Sequence, residues 1–275
     1  MLKDFLELIR LPNCLMASLA AYIGFALKLK ILDLNLIYAL LSVFLICAAG
    51  MIINDIVDIK IDRERPLSKR KISIKISKLI SALFFSLGIF FSFLINFVTF
   101  LIAIFASLSL ILYSFKMRKL KFLGNFIVAL NSSLPFIFGY FAASVNFENL
   151  LIILSFFLAA LFASLARELL KDLEQKEIDK GFKVTLPHLL GEKNCIYFVF
   201  VYSFLATLFL LMPLFTFKLK FLNIPYILFL FLASLILIFS FKLSVSKFYS
   251  KAKLFAKIAM LFALIAFLFF IFLGS

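Results

Sequence analysis

Long apolar stretches alternate along this chain with short polar segments rich in lysine and arginine. About twenty consecutive apolar residues cross the hydrocarbon core of a bilayer as one α-helix. Stretches of this size predict nine membrane-spanning helices, with a break near Asn96 between the third and the fourth. We therefore expect an all-α, polytopic membrane protein, a bundle of nine transmembrane helices whose cytoplasmic loops cap a central cavity. The predicted spans are residues 12–30, 35–56, 78–95, 97–115, 122–143, 149–170, 194–216, 223–242 and 253–273.

Lysine and arginine residues fall very unevenly on the two sides of this predicted bundle. The N-terminus and the loops after spans two, four, six and eight hold all but four of the 29 lysine and arginine residues. Cytoplasmic loops of membrane proteins carry such an excess of positive charge. We therefore expect a multi-pass protein of the plasma membrane with its N-terminus in the cytoplasm and its C-terminus outside. The four exceptions are Lys28, Lys30, Lys218 and Lys220.

The overall composition agrees with a membrane protein and excludes several other classes. Of the 275 residues, 65% are hydrophobic, against roughly 45–50% in soluble domains. The net charge of +15 lies in short loops, which favours contact with anionic lipid headgroups over binding of nucleic acid. His188 is the single histidine, so a histidine-based metal site is excluded, and the three cysteines lack metal-ligand spacing. We expect one domain over residues 1–275 and no obligate protein partner.

Two acidic clusters interrupt the apolar pattern, one at the end of the second predicted span and one at the end of the sixth. Carboxylates at the edge of a bilayer are costly, which points to a function. If each helix continues, the spacings place each cluster on one helical stripe on the cytoplasmic side. The alternative is a pair of solvated loops whose acids and bases pair on the surface. The first cluster comprises Asn54, Asp55, Asp58 and Asp62, and the second comprises Glu168, Asp172, Gln175 and Asp179.

The chemistry of these side chains favours a divalent cation. Oxygen ligands suit Mg²⁺, which binds through a few carboxylates together with substrate phosphates. We expect the two clusters to face each other and to hold Mg²⁺ and a diphosphate. Arginine and lysine side chains near the clusters would supply the further positive charge that a diphosphate requires. These are Arg63, Arg65, Lys69, Arg70, Lys116, Lys119 and Lys171.

The first cluster, Asn54-Asp55-x-x-Asp58-x-x-x-Asp62-Arg63, resembles the first aspartate-rich motif of the UbiA superfamily of intramembrane prenyltransferases. The segment from Tyr113-Ser114-Phe115-Lys116 through Lys119 to Gly124-Asn125 is similar to the family's stretch between spans four and five. Arg10-Leu11-Pro12-Asn13 is similar to its N-terminal Arg-x-x-Asn. Nine helices, with the motifs at the cytoplasmic ends of spans two and six, also fit this family.

The second cluster resembles one branch of that family. The string from Arg167 to Glu174, then Asp179 and Thr185-Leu186-Pro187, is similar to the archaeal branch that attaches a second geranylgeranyl chain to geranylgeranylglyceryl phosphate in ether-lipid synthesis. Gln175 stands where the family has the first aspartate of a D-x-x-x-D pair. Its carbonyl oxygen would be a weaker, uncharged ligand, for which Asp172 or Glu174 would compensate.

The resemblance implies Mg²⁺-dependent transfer of a geranylgeranyl group from geranylgeranyl diphosphate to the free hydroxyl of a lipid phosphate acceptor. Asp55 or a diphosphate oxygen would take the hydroxyl proton. The implied ligands of two Mg²⁺ ions are Asn54, Asp58 and Asp62 for one, and Asp172, Gln175 and Asp179 for the other. The residues implied to bind the diphosphate or the head group are Asn13, Arg63, Lys116, Lys119, Asn125, Arg167 and Lys171.

Three other functions remain open. An aromatic-acceptor prenyltransferase would share the diphosphate site and act on a hydroxybenzoate, naphthoate or porphyrin ring. A cation transporter would place its ligands near the bilayer midplane on broken helices, whereas the acids of this chain lie at predicted helix ends. A structural scaffold would tolerate the loss of Asp58. The string from Arg167 to Glu174 favours the glyceryl phosphate acceptor.

Overall fold

The apolar stretches of the sequence form α-helices. This computed structural model describes residues 2–59, 66–69, 72–115, 121–179, 184–216 and 224–273, without the side chains of Lys121, Ile178, Asp179 and Thr216. The helices within these ranges are α1 (Leu2–Leu8), α2 (Leu11–Ala26), α3 (Leu34–Val57), α4 (Ile74–Ile95), α5 (Phe97–Phe115), α6 (Lys121–Ala143), α7 (Leu150–Glu174), α8 (Lys176–Asp179), α9 (Leu186–Thr216), α10 (Ile224–Val245) and α11 (Tyr249–Leu273).

Most of these helices are long and apolar enough to cross a membrane. In the described part of the chain, eight helices meet this condition alone, namely α3 to α7 and α9 to α11. Helices α1 and α2 meet it only as a pair bent by 57°. The bend falls at Arg10, whose backbone is left-handed with φ 51° and ψ 55°, and Pro12 follows in the first turn of α2. The prediction of an all-α, multi-pass membrane protein is confirmed, and α2 of this bent pair overlaps the predicted first span.

The predicted break near Asn96 is also confirmed. Helix α4 ends at Ile95 and α5 begins at Phe97, with Asn96 in an extended conformation between them. Asn96 Oδ1 accepts a hydrogen bond from the Thr99 N–H at 2.9 Å, and Asn96 Nδ2 donates to the Phe141 carbonyl at 2.9 Å. The asparagine side chain thereby satisfies backbone groups at two helix ends, which lipid could not do.

The described helices belong to two compact units. The first unit comprises Met1–Lys116 and Leu134–Phe147, and the second comprises Met117–Ser133 and Glu148–Ser275. Helix α6 therefore contributes its beginning to the second unit and its end to the first. Each unit has its own buried clusters of apolar side chains.

In the first unit, α3 packs against α2, α4 and α5. Serine hydroxyls join α3 to α4, because Ser42 Oγ donates to the Gly88 carbonyl at 2.8 Å and Ser81 Oγ donates to the Ala49 carbonyl at 3.1 Å. Small and hydroxyl-bearing residues are typical of helix contacts in membranes, where backbones approach closely and lipid offers no polar partner.

The end of α6 approaches α2 even more closely within the first unit. A β-carbon added to Gly139 would lie 1.8 Å from the Ala21 carbonyl oxygen, and one added to Gly24 would lie 2.1 Å from the Phe136 carbonyl oxygen. Both distances are far shorter than the non-bonded contacts that real β-carbons make. Only glycine at these two positions allows the helices to pack in this way.

In the second unit, α7 packs against α9 and α11, and α10 packs against α9 and α11. Tyr226 Oη donates to the Leu210 carbonyl at 2.7 Å, and Ser240 Oγ donates to the Ala252 carbonyl at 2.8 Å, so α10 is hydrogen-bonded to both neighbours. Helix α7 thus packs against two other helices of its unit, and its polar end carries the second acidic cluster.

Candidate active site

The first acidic cluster lies at the end of α3. The helix ends at Val57, and Asp58 follows as its cap, with the Asp58 N–H donating to the Asn54 carbonyl at 3.0 Å. The Asn54 amide Nδ2 donates to Asp58 Oδ2 at 3.3 Å, so the two side chains lie within one turn. The expected stripe depended on the helix continuing, and regular helix stops before Asp58. Asp62 lies outside the described residues.

Asp55 pairs with the N-terminal segment. Arg10 Nη2 donates to Asp55 Oδ1 at 2.7 Å, and the Asp55 side chain is only 1% exposed. Arg10 also starts α2, because its carbonyl accepts the Asn13 N–H at 2.8 Å. This buried ion pair joins the bend between α1 and α2 to the acidic end of α3.

The second acidic cluster lies at the end of α7, which extends to Glu174 and is longer than the predicted span. Glu168 is buried and accepts from two cations: Arg167 Nη1 lies 2.6 Å from Glu168 Oε1, and Lys171 Nζ lies 3.5 Å from Glu168 Oε2. Gln175 caps the helix with φ −92° and ψ 5°, and α8 follows directly. The expected continuous stripe is therefore interrupted at Gln175.

Asp172 lies on the buried side of the same helix and contacts α6. Asn125 Nδ2 donates to Asp172 Oδ2 at 2.7 Å, and both side chains are buried. Asn125 was expected to bind the substrate head. The structure shows that its amide donates to the carboxylate of a candidate metal ligand, and the contact with the substrate head stays a prediction.

Several predicted residues lie outside the part of the chain that the structure describes. Asp62, Arg63, Lys116 and Lys119 lie outside the described residues, as does the side chain of Asp179 at the end of α8. Their roles stay predictions, and so does the expectation that both clusters bind one diphosphate.

Two residues, Arg10 beside the first cluster and Glu168 within the second, have contacts that were not predicted from the sequence. Arg10 was noted only as part of a family motif, and its partner Asp55 lies 45 positions away. Glu168 was placed on a stripe but given no role, although it joins Arg167 and Lys171. The signal was present for Glu168, because Lys171 follows at i+3 on the same helical face. Nothing local in the sequence indicates the partner of Arg10.

The acids next to the second cluster have structural partners. Glu174 forms an ion pair with Lys253 of α11. Glu192 accepts from Lys176 Nζ at 3.1 Å and from Tyr249 Oη at 3.3 Å. Glu174 is held by Lys253 and Asp172 by Asn125, and the expectation that one of them compensates for the uncharged Gln175 stays a prediction.

The donor atoms of both clusters fit a hard divalent cation. Asn54 and Asp58 in the first unit, and Asp172 and Gln175 in the second, offer carboxylate and amide oxygens, the ligand class that Mg²⁺ prefers. Among the described residues, no three histidine, cysteine, aspartate or glutamate side chains come together to hold a metal. Each described cluster therefore offers part of a coordination shell, to which substrate phosphates would add.

These features define a multi-pass membrane protein with oxygen-rich acidic sites at the ends of two spans. The family model described as the UbiA prenyltransferase family matches residues 14–271. A relative from Methanococcus maripaludis (strain C5 / ATCC BAA-1333), named digeranylgeranylglyceryl phosphate synthase, is 41% identical over 205 residues, 71% of each chain. This chain belongs to the UbiA prenyltransferase family.

Solved structures have the same fold. One, described as giving structural and mechanistic insights into the biosynthesis of digeranylgeranylglyceryl phosphate synthase in membranes, aligns with a TM-score of 0.77 and 32% identity over 99% of this chain and 98% of its own. Another is a UbiA homologue from Archaeoglobus fulgidus bound to GPP and Mg²⁺, with a TM-score of 0.68 and 19% identity over 97% of this chain and 99% of its own. At that identity the second structure supports the fold alone.

Proposed function

We propose that this chain transfers a geranylgeranyl group from geranylgeranyl diphosphate to the free hydroxyl of geranylgeranylglyceryl phosphate. The product is digeranylgeranylglyceryl phosphate, an intermediate of archaeal ether lipids. The observation that carries this proposal is the 41% identity to a relative named as the synthase of that product. The string from Arg167 to Glu174, at the end of α7, supports the same acceptor.

The substrates are lipids, so their tails partition into the bilayer without help from specific residues. A buried chain contributes about 0.8 kcal/mol per CH₂ group. The work of the protein is at the polar heads. There the bond from the allylic carbon to diphosphate breaks, the acceptor hydroxyl oxygen bonds to that carbon, and Asp55 or a diphosphate oxygen takes the hydroxyl proton. Charge develops on the departing diphosphate, and fixed cations and hydrogen-bond donors stabilise it there. Apolar helix walls exclude water from the allylic cation.

In this proposal each acidic cluster supplies oxygen ligands. Asn54, Asp58 and Asp62 would hold one Mg²⁺ ion, and Asp172, Gln175 and Asp179 would hold the second. When bound, these ions neutralise diphosphate charge and favour its departure. The protein contributes preorganisation, because Asn125 orients the Asp172 carboxylate before the substrate binds.

The basic residues supply the remaining positive charge. Arg63, Lys116 and Lys119 are assigned to the diphosphate of the donor. Arg167 and Lys171 lie on α7 beside Glu168, which holds both side chains near the second cluster. We assign these two cations to the phosphate of the acceptor, because a doubly paired carboxylate fixes their positions while leaving further donor N–H groups on each cation.

We further propose that residues 1–275 form one prenyltransferase domain in the plasma membrane, with the N-terminus and both clusters in the cytoplasm and the C-terminus outside. The match of one family model to residues 14–271 supports a single domain. The uneven distribution of lysine and arginine supports the orientation.

The test is a transfer assay with the purified full chain in lipid vesicles. Geranylgeranyl diphosphate and Mg²⁺ are supplied with geranylgeranylglyceryl phosphate or with an aromatic acceptor. We expect product from the lipid phosphate, and we expect Asp58→Ala and Asp62→Ala to abolish turnover while the protein still folds. Asp33→Ala is the matched control, because Asp33 lies at the opposite end of α3. Product from the aromatic acceptor alone, or full activity in Asp58→Ala, would contradict the proposal.

A further inference from the structure

The single histidine of the chain has a defined place next to the second acidic cluster. His188 is the third residue of α9. Both of its ring nitrogens make contacts: Nε2 lies 2.9 Å from the Lys176 carbonyl oxygen, and Nδ1 lies 3.1 Å from the Thr185 backbone nitrogen and 2.8 Å from Thr185 Oγ1. No role for this side chain follows from the clusters themselves.

The partners of His188 determine which ring nitrogen carries the proton. The Thr185 backbone N–H can only donate, so Nδ1 must accept. The Lys176 carbonyl can only accept, so Nε2 must carry the hydrogen and donate. These two partners therefore select the Nε2–H tautomer. Both of its hydrogen-bonding groups are used at once.

These contacts join two points of the chain on either side of Asp179. Lys176 is the first residue of α8, directly after Gln175, and Thr185 directly precedes α9. The contact with Thr185 is local, three residues from His188, whereas the contact with Lys176 spans twelve residues. The Nε2–H bond is thus the one that ties α8 to the start of α9.

A second contact supports the same segment. The Lys176 side chain pairs with Glu192 at 3.1 Å, and Glu192 also accepts from Tyr249 Oη on α11. Lys176 is therefore bonded through its carbonyl to His188, before the non-helical Gly191 of α9, and through its ammonium group to Glu192, directly after it. Two bonds at one residue restrict both the position and the rotation of the backbone that follows it.

We propose that His188 is a positioning residue, whose Nε2–H bond to the Lys176 carbonyl holds the start of α8 and thereby fixes the backbone next to Gln175. This inference rests on the proposed function, in which the Gln175 side chain is a metal ligand. His188 itself touches neither substrate nor metal in this role. It acts through the backbone of Lys176.

The competing explanation is local capping, in which His188 serves only the first turn of α9 through Thr185. Two substitutions separate the explanations. His188→Gln places an amide N–H near the position of Nε2 and keeps a donor for Lys176. His188→Asn places an amide oxygen near the position of Nδ1, which keeps the acceptor for Thr185 and loses the reach to Lys176.

The first measurement does not involve activity. We expect amide hydrogen exchange of the full chain in detergent to rise roughly two- to tenfold over residues 175–179 in His188→Asn, as the loss of one hydrogen bond allows. His188→Gln should exchange like the wild type. Faster exchange in His188→Gln than in His188→Asn, or equal exchange in all three proteins, would overturn the proposed His188–Lys176 hydrogen bond.

The second measurement uses the wild type alone and stays informative if a variant does not fold. Because the chain contains one histidine, ¹⁵N-histidine labelling gives the two ring nitrogens of His188 without overlap. We expect a protonated Nε2 and an unprotonated Nδ1. A protonated Nδ1, or a ring that exchanges between tautomers, would overturn the proposal.

The third measurement tests positioning rather than structure alone. The Mg²⁺ concentration for half-maximal transfer should rise about tenfold or more in His188→Asn, as for the loss of an outer-shell partner, and His188→Gln should restore it. If His188→Asn raised the exchange but left the Mg²⁺ dependence unchanged, His188 would have a structural role only, and its proposed role as a positioning residue would be overturned. A wild-type protein that transfers to no acceptor would contradict the proposed function. The exchange and ¹⁵N results would still test the His188–Lys176 hydrogen bond.

Discussion

Replacing Asn125 with alanine tests whether a buried amide prepares the second acidic cluster for its ligand. The change removes the donor that lies 2.7 Å from Asp172 Oδ2 and keeps the helix-forming backbone of α6. Alanine is also smaller, so no new contact is forced on α7. The variant therefore isolates one hydrogen bond to a carboxylate.

The size of the effect follows from burial and charge. Asn125 and Asp172 are 8% and 3% exposed, so water replaces the lost donor poorly. A hydrogen bond to a charged group contributes about 1.5–3 kcal/mol. Since 1.4 kcal/mol is a factor of about ten in an equilibrium or rate constant, we expect roughly a ten- to hundredfold loss in kcat/KM or in apparent Mg²⁺ affinity.

The assay is geranylgeranyl transfer at saturating donor, with Mg²⁺ varied over several decades. Asn194→Ala is the matched control, because the Asn194 amide also donates a bond of 2.9 Å, but to the Leu190 carbonyl on its own helix and on an exposed face. That variant should stay within twofold of the wild type. If Asn125→Ala also stayed within twofold, its amide would have no part in orienting Asp172.

Two further predictions concern the first unit. Gly139→Ala should destabilise the protein by about 1–3 kcal/mol in thermal unfolding, because its new methyl would lie 1.8 Å from the Ala21 carbonyl oxygen. Gly50→Ala is the control, because its methyl meets only the flexible Leu110 side chain. Equal stabilities of the two variants would contradict the packing argument. Arg10→Ala should cost about 3 kcal/mol or more, because Asp55 loses its ion pair in a buried site. Adding Asp55→Asn should recover part of that loss, and a further drop would refute the ion-pair explanation.

The spans were predictable from sequence because the signal is local and repeated. Twenty apolar residues in a row have few alternatives in a bilayer, where a helix satisfies every backbone group within the segment. The break at Asn96 was predictable for the same reason, since a polar amide interrupts an apolar run. Ends were less accurate: α7 continues to Glu174, because paired charges tolerate helix beyond the apolar core.

The acidic clusters were predictable as candidates, but their partners were not. Residue type and spacing marked Asp58 and Asp172 as costly groups at helix ends. The donor of Asp172 is Asn125, which lies 47 positions earlier and on another helix. No periodicity links two such positions, because hydrogen bonds between helices depend on which faces meet.

The sequence by itself determined the protein's class, its helical spans and the residues with metal-binding chemistry, since these depend on hydropathy and donor atoms read one segment at a time. Only the tertiary structure decided that Arg10 pairs with Asp55, that Asn125 holds Asp172, and that His188 bonds the Lys176 carbonyl. The physical reason is range: hydropathy acts on each residue wherever it lies, whereas a hydrogen bond requires two groups within about 3 Å, and packing alone brings distant residues that close.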